Sequence, residues 1–142
     1  MAITSIEAEI VKIANTVVEL KKVYDYPVFT LGREMPALEI RYDGFTQKPS
    51  ADSHTDVYYS WELTLFLSLE GRSVQDRWDD LKSVTEELLQ AFRQDYSLGG
   101  TVWLSMIEGG SPIIEAPSDP RNKPKYVGHT FRLVTRKEQS PY

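Results

Sequence analysis

A run of thirteen residues constrains this chain more than any other feature. Val57, Tyr59, Trp61, Leu63, Leu65, Leu67 and Leu69 fill every odd position, and Tyr58, Ser60, Glu62, Thr64, Phe66 and Ser68 fill the even ones. A two-residue period is that of a β-strand with one buried face. A slip of one residue would turn the whole apolar set towards water, so the register of this strand is strongly specified. At about 3.3 Å per residue the run spans some 43 Å, over twice the usual strand length. That exceeds the diameter of a compact chain of 142 residues, whose radius of gyration would be roughly 14.5 Å. The strand therefore bends or projects at one end as an arm. Tyr58 and Phe66, on the otherwise polar face, are candidates for contact with something beyond the domain.

Two amphipathic helices frame the strand. In the first, Ile6, Ile10, Ile13, Val17 and Leu20 recur at steps of three and four. Thr4 and Glu7 fit a capping box, and the helix is expected to run to about Val23, before Tyr26-Pro27 disfavours it. The second starts at Ser73 with Asp76 near its positive end. Trp78, Leu81, Thr85, Leu88 and Phe92 form its buried stripe, while Asp79, Asp80, Glu86 and Glu87 form a solvated face. It stops near Asp95, ahead of Gly99 and Gly100.

Shorter alternations predict further strands over Ala37–Asp43, Thr101–Ile107 and Tyr126–Lys137. In the second of these, Val102, Leu104 and Met106 share one face. In the last, Phe131 and Leu133 fall on opposite faces of an imperfect pattern. Gly44–Thr55 reads as polar and irregular, and Glu108–Lys125 as a long connection in which Gly109-Gly110 is a turn signal. The expected fold is one α+β domain over residues 1–142. Four mostly antiparallel strands pack against two helices in the order α-β-β-α-β-β, with a long hairpin arm.

Composition narrows the chemistry. The chain lacks cysteine, which excludes disulfides, thiolate nucleophiles, cysteine zinc sites and iron–sulfur clusters. Glu7, Glu9 and Lys12 interrupt any apolar run near the start, so neither a signal peptide nor a membrane-spanning helix is expected. His54 and His129 show no metal spacing, no glycine loop is followed by the lysine of a phosphate site, and no serine sits in a nucleophile elbow. No catalytic set, cofactor site or metal site emerges.

Charge is unevenly spread. The formal net charge is -5, yet Arg121, Lys123, Lys125, Arg132, Arg136 and Lys137 against Glu138 give the last 22 residues +5 and leave -10 on the first 120. The basic segment is either a solvated surface or a surface that meets acidic groups on another copy. Opposite patches on one chain suit head-to-tail contacts, which close into rings when the rotation allows. Nucleic-acid binding on this segment would need an aromatic platform motif, and the segment has none.

The segment Asp95-Tyr96-Ser97-Leu98-Gly99-Gly100-Thr101-Val102 resembles the helix-to-strand junction of tail terminator (tail completion) proteins of long-tailed bacteriophages. Met35-Pro36-Ala37-Leu38-Glu39-Ile40 is similar to the approach to their first strand, and Tyr126-Val127-Gly128-His129-Thr130-Phe131 to that of their last. The resemblance covers nearly the whole chain in order and length. It marks Leu98, Gly99 and Gly100 as a turn of the fold motif. It implies a virion structural protein without enzymatic activity, made in the host cytoplasm and located at the tail end or neck. Such proteins form a ring, usually hexameric, that caps the head-proximal end of the tail tube. The implied partners are further copies of the chain, the tail tube protein, and a head–tail connector or stopper, with DNA only passing through the lumen and no membrane contact. An acidic chain suits such a lumen, because like charge does not hold phosphate. The basic residues named above, with Tyr58, Phe66 and His54, are the candidate contacts. Another neck component, such as a stopper or completion protein, fits the same features. A small cytoplasmic ligand-binding or enzyme domain would instead need a concave pocket with converging polar groups.

Overall fold

In the computed structural model the described residues are 2–27, 35–49, 55–69, 72–115 and 125–139, with side chains described as far as residue 137. The elements are α1 (Ala2–Ala14), β1 (Lys22–Tyr24), β2 (Ala37–Pro49), β3 (Thr55–Ser68), α2 (Val74–Gln94), β4 (Leu104–Ile114) and β5 (Tyr126–Gln139). The strands form one sheet in the order β1-β2-β3-β5-β4. Strand β1 runs parallel to β2, and every other pairing is antiparallel. The α+β class is as expected. The strand count is not: the sheet has five strands, and the order is α-β-β-β-α-β-β.

The long alternating run is β3, at the middle of the sheet. Its odd residues from Val57 to Leu69 are all buried. They form one core with Ile6, Ile10 and Ile13 of α1 and Leu81, Val84, Leu88 and Phe92 of α2. The helices therefore cover one face of the sheet. On the other face Tyr58, Ser60, Glu62, Phe66 and Ser68 are half-buried.

The expected arm is only partly a hairpin. Gly44–Pro49, read as irregular, continues β2, and Phe45–Pro49 pair with Tyr59–Thr55. Strand β5 pairs with β3 along its full length, from Ser68 to Thr55, so the far end is three strands wide. Polar composition does not prevent strand formation when the backbone groups find partners on a neighbour.

Three further expectations are corrected. Helix α1 spans Ala2–Ala14, so Thr4 and Glu7 lie inside it and make no capping box. Its end is set at Thr16, whose hydroxyl donates to the Ile13 carbonyl at 2.6 Å within a β-branched run poor in helix propensity. Val17 and Leu20 still pack on the core from the turns that follow. Second, the strand expected over Thr101–Ile107 begins at Leu104 and runs through Gly109-Gly110 to Ile114, with a register shift between Ile107 and Gly109. It is an edge strand, where Pro112 is tolerated. Third, Phe131 and Leu133 lie on the same, buried face of β5.

Helix α2 begins as expected. The Ser73 hydroxyl accepts from the Asp76 amide and the Asp76 carboxylate accepts from the Ser73 amide, both at 3.2 Å. After Gln94 the chain turns through Leu98, Gly99 and Gly100, whose φ angles are 48°, 66° and 83°. The Asp95 carboxylate accepts from the Gly99 amide at 3.1 Å, and the Thr101 hydroxyl donates to the Leu98 carbonyl at 2.7 Å. This turn seats Leu98 and Val102 in the core and delivers the chain to β4.

Gly110 is required by close approach. A Cβ there would lie 1.9 Å from the Thr130 carbonyl oxygen, whereas a Cβ at Gly109 would meet nothing within 4 Å. Gly110→Ala should therefore destabilise the fold by about 2–3 kcal/mol through overpacking. Gly109→Ala should cost less than about 1 kcal/mol. Urea unfolding of the two variants checks this, and equal midpoints would contradict the packing argument.

Candidate functional surface

The face of the sheet away from the helices carries a row of alternating charge. Arg41, Glu62, Arg132 and Gly109 are opposed in register across β2, β3, β5 and β4, and Glu108 adjoins the last. Arg41 donates to Glu62 at 2.5 Å, and Arg132 lies 3.5 Å from Glu108. All four side chains are partly exposed, so these pairs add little stability. The hydrogen bond and charge of Glu62 hold the Arg41 guanidinium above its ordinary value.

The sequence-derived contact residues do not converge. Alternation along β5 places Arg132 and Arg136 on the open face and Lys137 on the other, in register with buried Val57. Lys125 is exposed just before β5, where its carbonyl accepts from Leu69 at 2.9 Å. Tyr58 lies under Lys48, 5.2 Å from ring to ammonium, and Phe66 meets the edge of Tyr126 at 5.3 Å. Arg121, Lys123 and His54 lie outside the described residues. Leu98, Gly99 and Gly100 form the turn described above. His129 stacks on Phe131 at 4.8 Å and borders an apolar cavity of about 220 Å³ with Trp78, Leu81, Thr85 and Pro112.

Arg136 is an internal anchor. Its Nε and Nη2 donate to one oxygen of Asp56 at 3.1 and 2.6 Å, and its guanidinium lies 5.5 Å from the Trp103 ring centroid. The Asp56 side chain is only 8% exposed, and Arg136 is the cation that pairs with it there.

Sequence reasoning missed the two free edges of the sheet. Beyond Glu39, strand β2 has no outer neighbour among the described residues, and β4 ends the other side. Phe45 is exposed on the first edge, with Tyr26 exposed after β1. Tyr96, Trp103, Leu104, Met106 and Ile114 are exposed at or beside the second. Alternation placed Val102, Leu104 and Met106 on one face. Instead Val102 belongs to the turn, and the strand presents Ser105 and Ile107 to the core side, in register with Thr135 and Leu133. Nothing in the pattern of four alternating residues decides which phase is buried.

Acidic groups on α2 are solvated, as expected: Asp80 pairs with Arg77 at 2.9 Å and Asp79 with Lys82 at 3.1 Å. Glu87 meets Glu19 from the segment after α1. A hydrogen bond between them lowers the Glu19 carboxyl and raises that of Glu87 above the ordinary value. Among the described residues no group of three or more histidines or carboxylates could hold a metal ion, and no helix is long and apolar enough to cross a membrane. Neither a family model nor a curated protein matches this chain.

Two outcomes follow. Arg136→Glu should destabilise the monomer by about 3 kcal/mol or more, because it sets a second carboxylate beside buried Asp56. Arg132→Glu should change stability by less than about 1 kcal/mol. Denaturant midpoints separate them, and a tolerated Arg136→Glu would contradict the anchor. The shared proton gives a pH test. The raised Glu87 carboxyl contributes stability that is complete below the ordinary carboxylate range and is lost as pH rises through its own value. Glu87→Gln keeps a donor towards Glu19 without the second charge. It should therefore be slightly more stable than the parent at neutral pH and equal to it in acid, as read by thermal melts; an unchanged difference across that range would contradict the pairing.

Proposed function

We propose that this chain is a tail terminator of a long-tailed bacteriophage, a structural protein without a catalytic role. Copies associate head to tail into a ring that caps the head-proximal end of the tail tube, stops its polymerisation and offers a docking surface to the head. One ring face meets the tube protein and the other a connector or stopper, and DNA passes through the lumen. The observation that supports this reading best is the presence of exposed aromatic side chains on both free edges of one sheet, Phe45 on β2 and Tyr96 and Trp103 beside β4. Different patches on opposite edges make heterologous contacts, and such contacts close into rings or continue as filaments. The turn at Leu98–Gly100 and the long central strand, both features of the resemblance, also support it.

Native mass measurement with negative-stain imaging over a concentration series tests the reading. A ring, alone or on added tail tubes at their ends, is the expected result. A monomer that also fails to bind purified tube ends would overturn it, and binding to isolated heads instead would move the protein to another position in the neck.

A further inference from the structure

Strand pairing sets Phe45 and Ser105 at opposite ends of a single cross-strand row. Phe45 opposes Tyr59, Tyr59 opposes Thr135, and Thr135 opposes Ser105. Residues directly opposed across a sheet point to the same face, so Phe45 and Ser105 share a height along the strands and the helix-covered face. Around Ser105 that face is not filled. Phe92, Tyr96, Ser105, Met106 and Ile107 line a cavity of about 180 Å³ between α2 and β4. The Ser105 hydroxyl is buried and has no hydrogen-bond partner among the described residues. At the other end of the row, Phe45 is 60% exposed, directly after a register shift in β2.

We propose that the cavity between α2 and β4 receives the Phe45 side chain of a second copy. An apolar cavity of about 150 Å³ accommodates one benzene ring, so the space suits a single aromatic side chain. The position suits it as well. Placing a second copy beside the first, displaced across the strands, continues the row so that Phe45 of one copy follows Ser105 of the other, with helices on the same side. Direct strand pairing does not compete at this height, because the outward Ser105 amide already donates to the Tyr96 carbonyl at 2.7 Å. The exposed Arg93 also lines the cavity, and no carboxylate among the described residues pairs with it. Sheet twist turns each added copy relative to the last, which curves a side-by-side row.

This contact rests on the head-to-tail reading above, and the test keeps the two apart. The chain has no cysteine, so Phe45→Cys and Tyr96→Cys each carry one thiol. The two variants are mixed and treated with a short thiol-to-thiol cross-linker, and the native mass of the unmodified protein is recorded alongside. A cross-linked heterodimer from the mixture, with none from either variant alone, is expected. Phe45→Ala should weaken self-association about tenfold or more while leaving the melting temperature unchanged, as an exposed side chain allows. Cross-linking within Phe45→Cys alone, or none in the mixture, overturns the contact. A ring by native mass without the mixed cross-link leaves the ring and removes this contact. A mixed cross-link without a closed ring keeps the contact and removes the ring.

Discussion

Seven alternate side chains of one strand, from Val57 to Leu69, are buried between two strand neighbours and two helices. Everything else is registered to that row. Leu38 and Ile40 of β2 and Phe131 and Leu133 of β5 lie beside its leucines and Trp61, and all are buried. Helix α1 is tied to the same row where the Trp61 indole donates to the Glu7 carboxylate at 3.2 Å. That bond uses a residue whose position suggested a helix cap. The buried indole needs a partner, and Glu7 supplies it from the second turn of α1.

The same two-residue period sorts the charges. Arg136 and Lys137 are adjacent in sequence, but successive strand residues point to opposite faces, so these two do not share a patch. Arg132 and Arg136 find acids within the chain, Glu108 and Asp56. Under the proposed ring reading, association then falls chiefly to the apolar side chains at the sheet edges, with charge setting orientation. The alternating charges of the open face, already paired along Arg41–Glu62 and Arg132–Glu108, leave that face wet.

Edge strands normally carry devices that block pairing with other chains. Strand β4 has two, the register shift before Gly109 and Pro112. Both come after the exposed Leu104 and Met106, and only Ile114 among the exposed apolar residues of the strand follows them. A strand built in this way discourages open-ended sheet extension.

Local pattern determined several parts of this protein by itself. The alternation of β3, the start of α2 at Ser73 and the turn at Leu98–Gly100 are each complete within a short segment, so their physics was legible there. The extent of α1, the existence of β1 and the course of β2 beyond Asp43 were not. Three residues of β1 carry no period, and Gly44–Pro49 becomes strand only because β3 supplies backbone partners. The phase of β4 was likewise undecided, since Ser105 and Ile107 face the core only through where α2 and β5 sit. The cavity at Ser105 and its alignment with Phe45 follow from the register of four strands. Register joins residues far apart in the chain, and only the tertiary structure decides it.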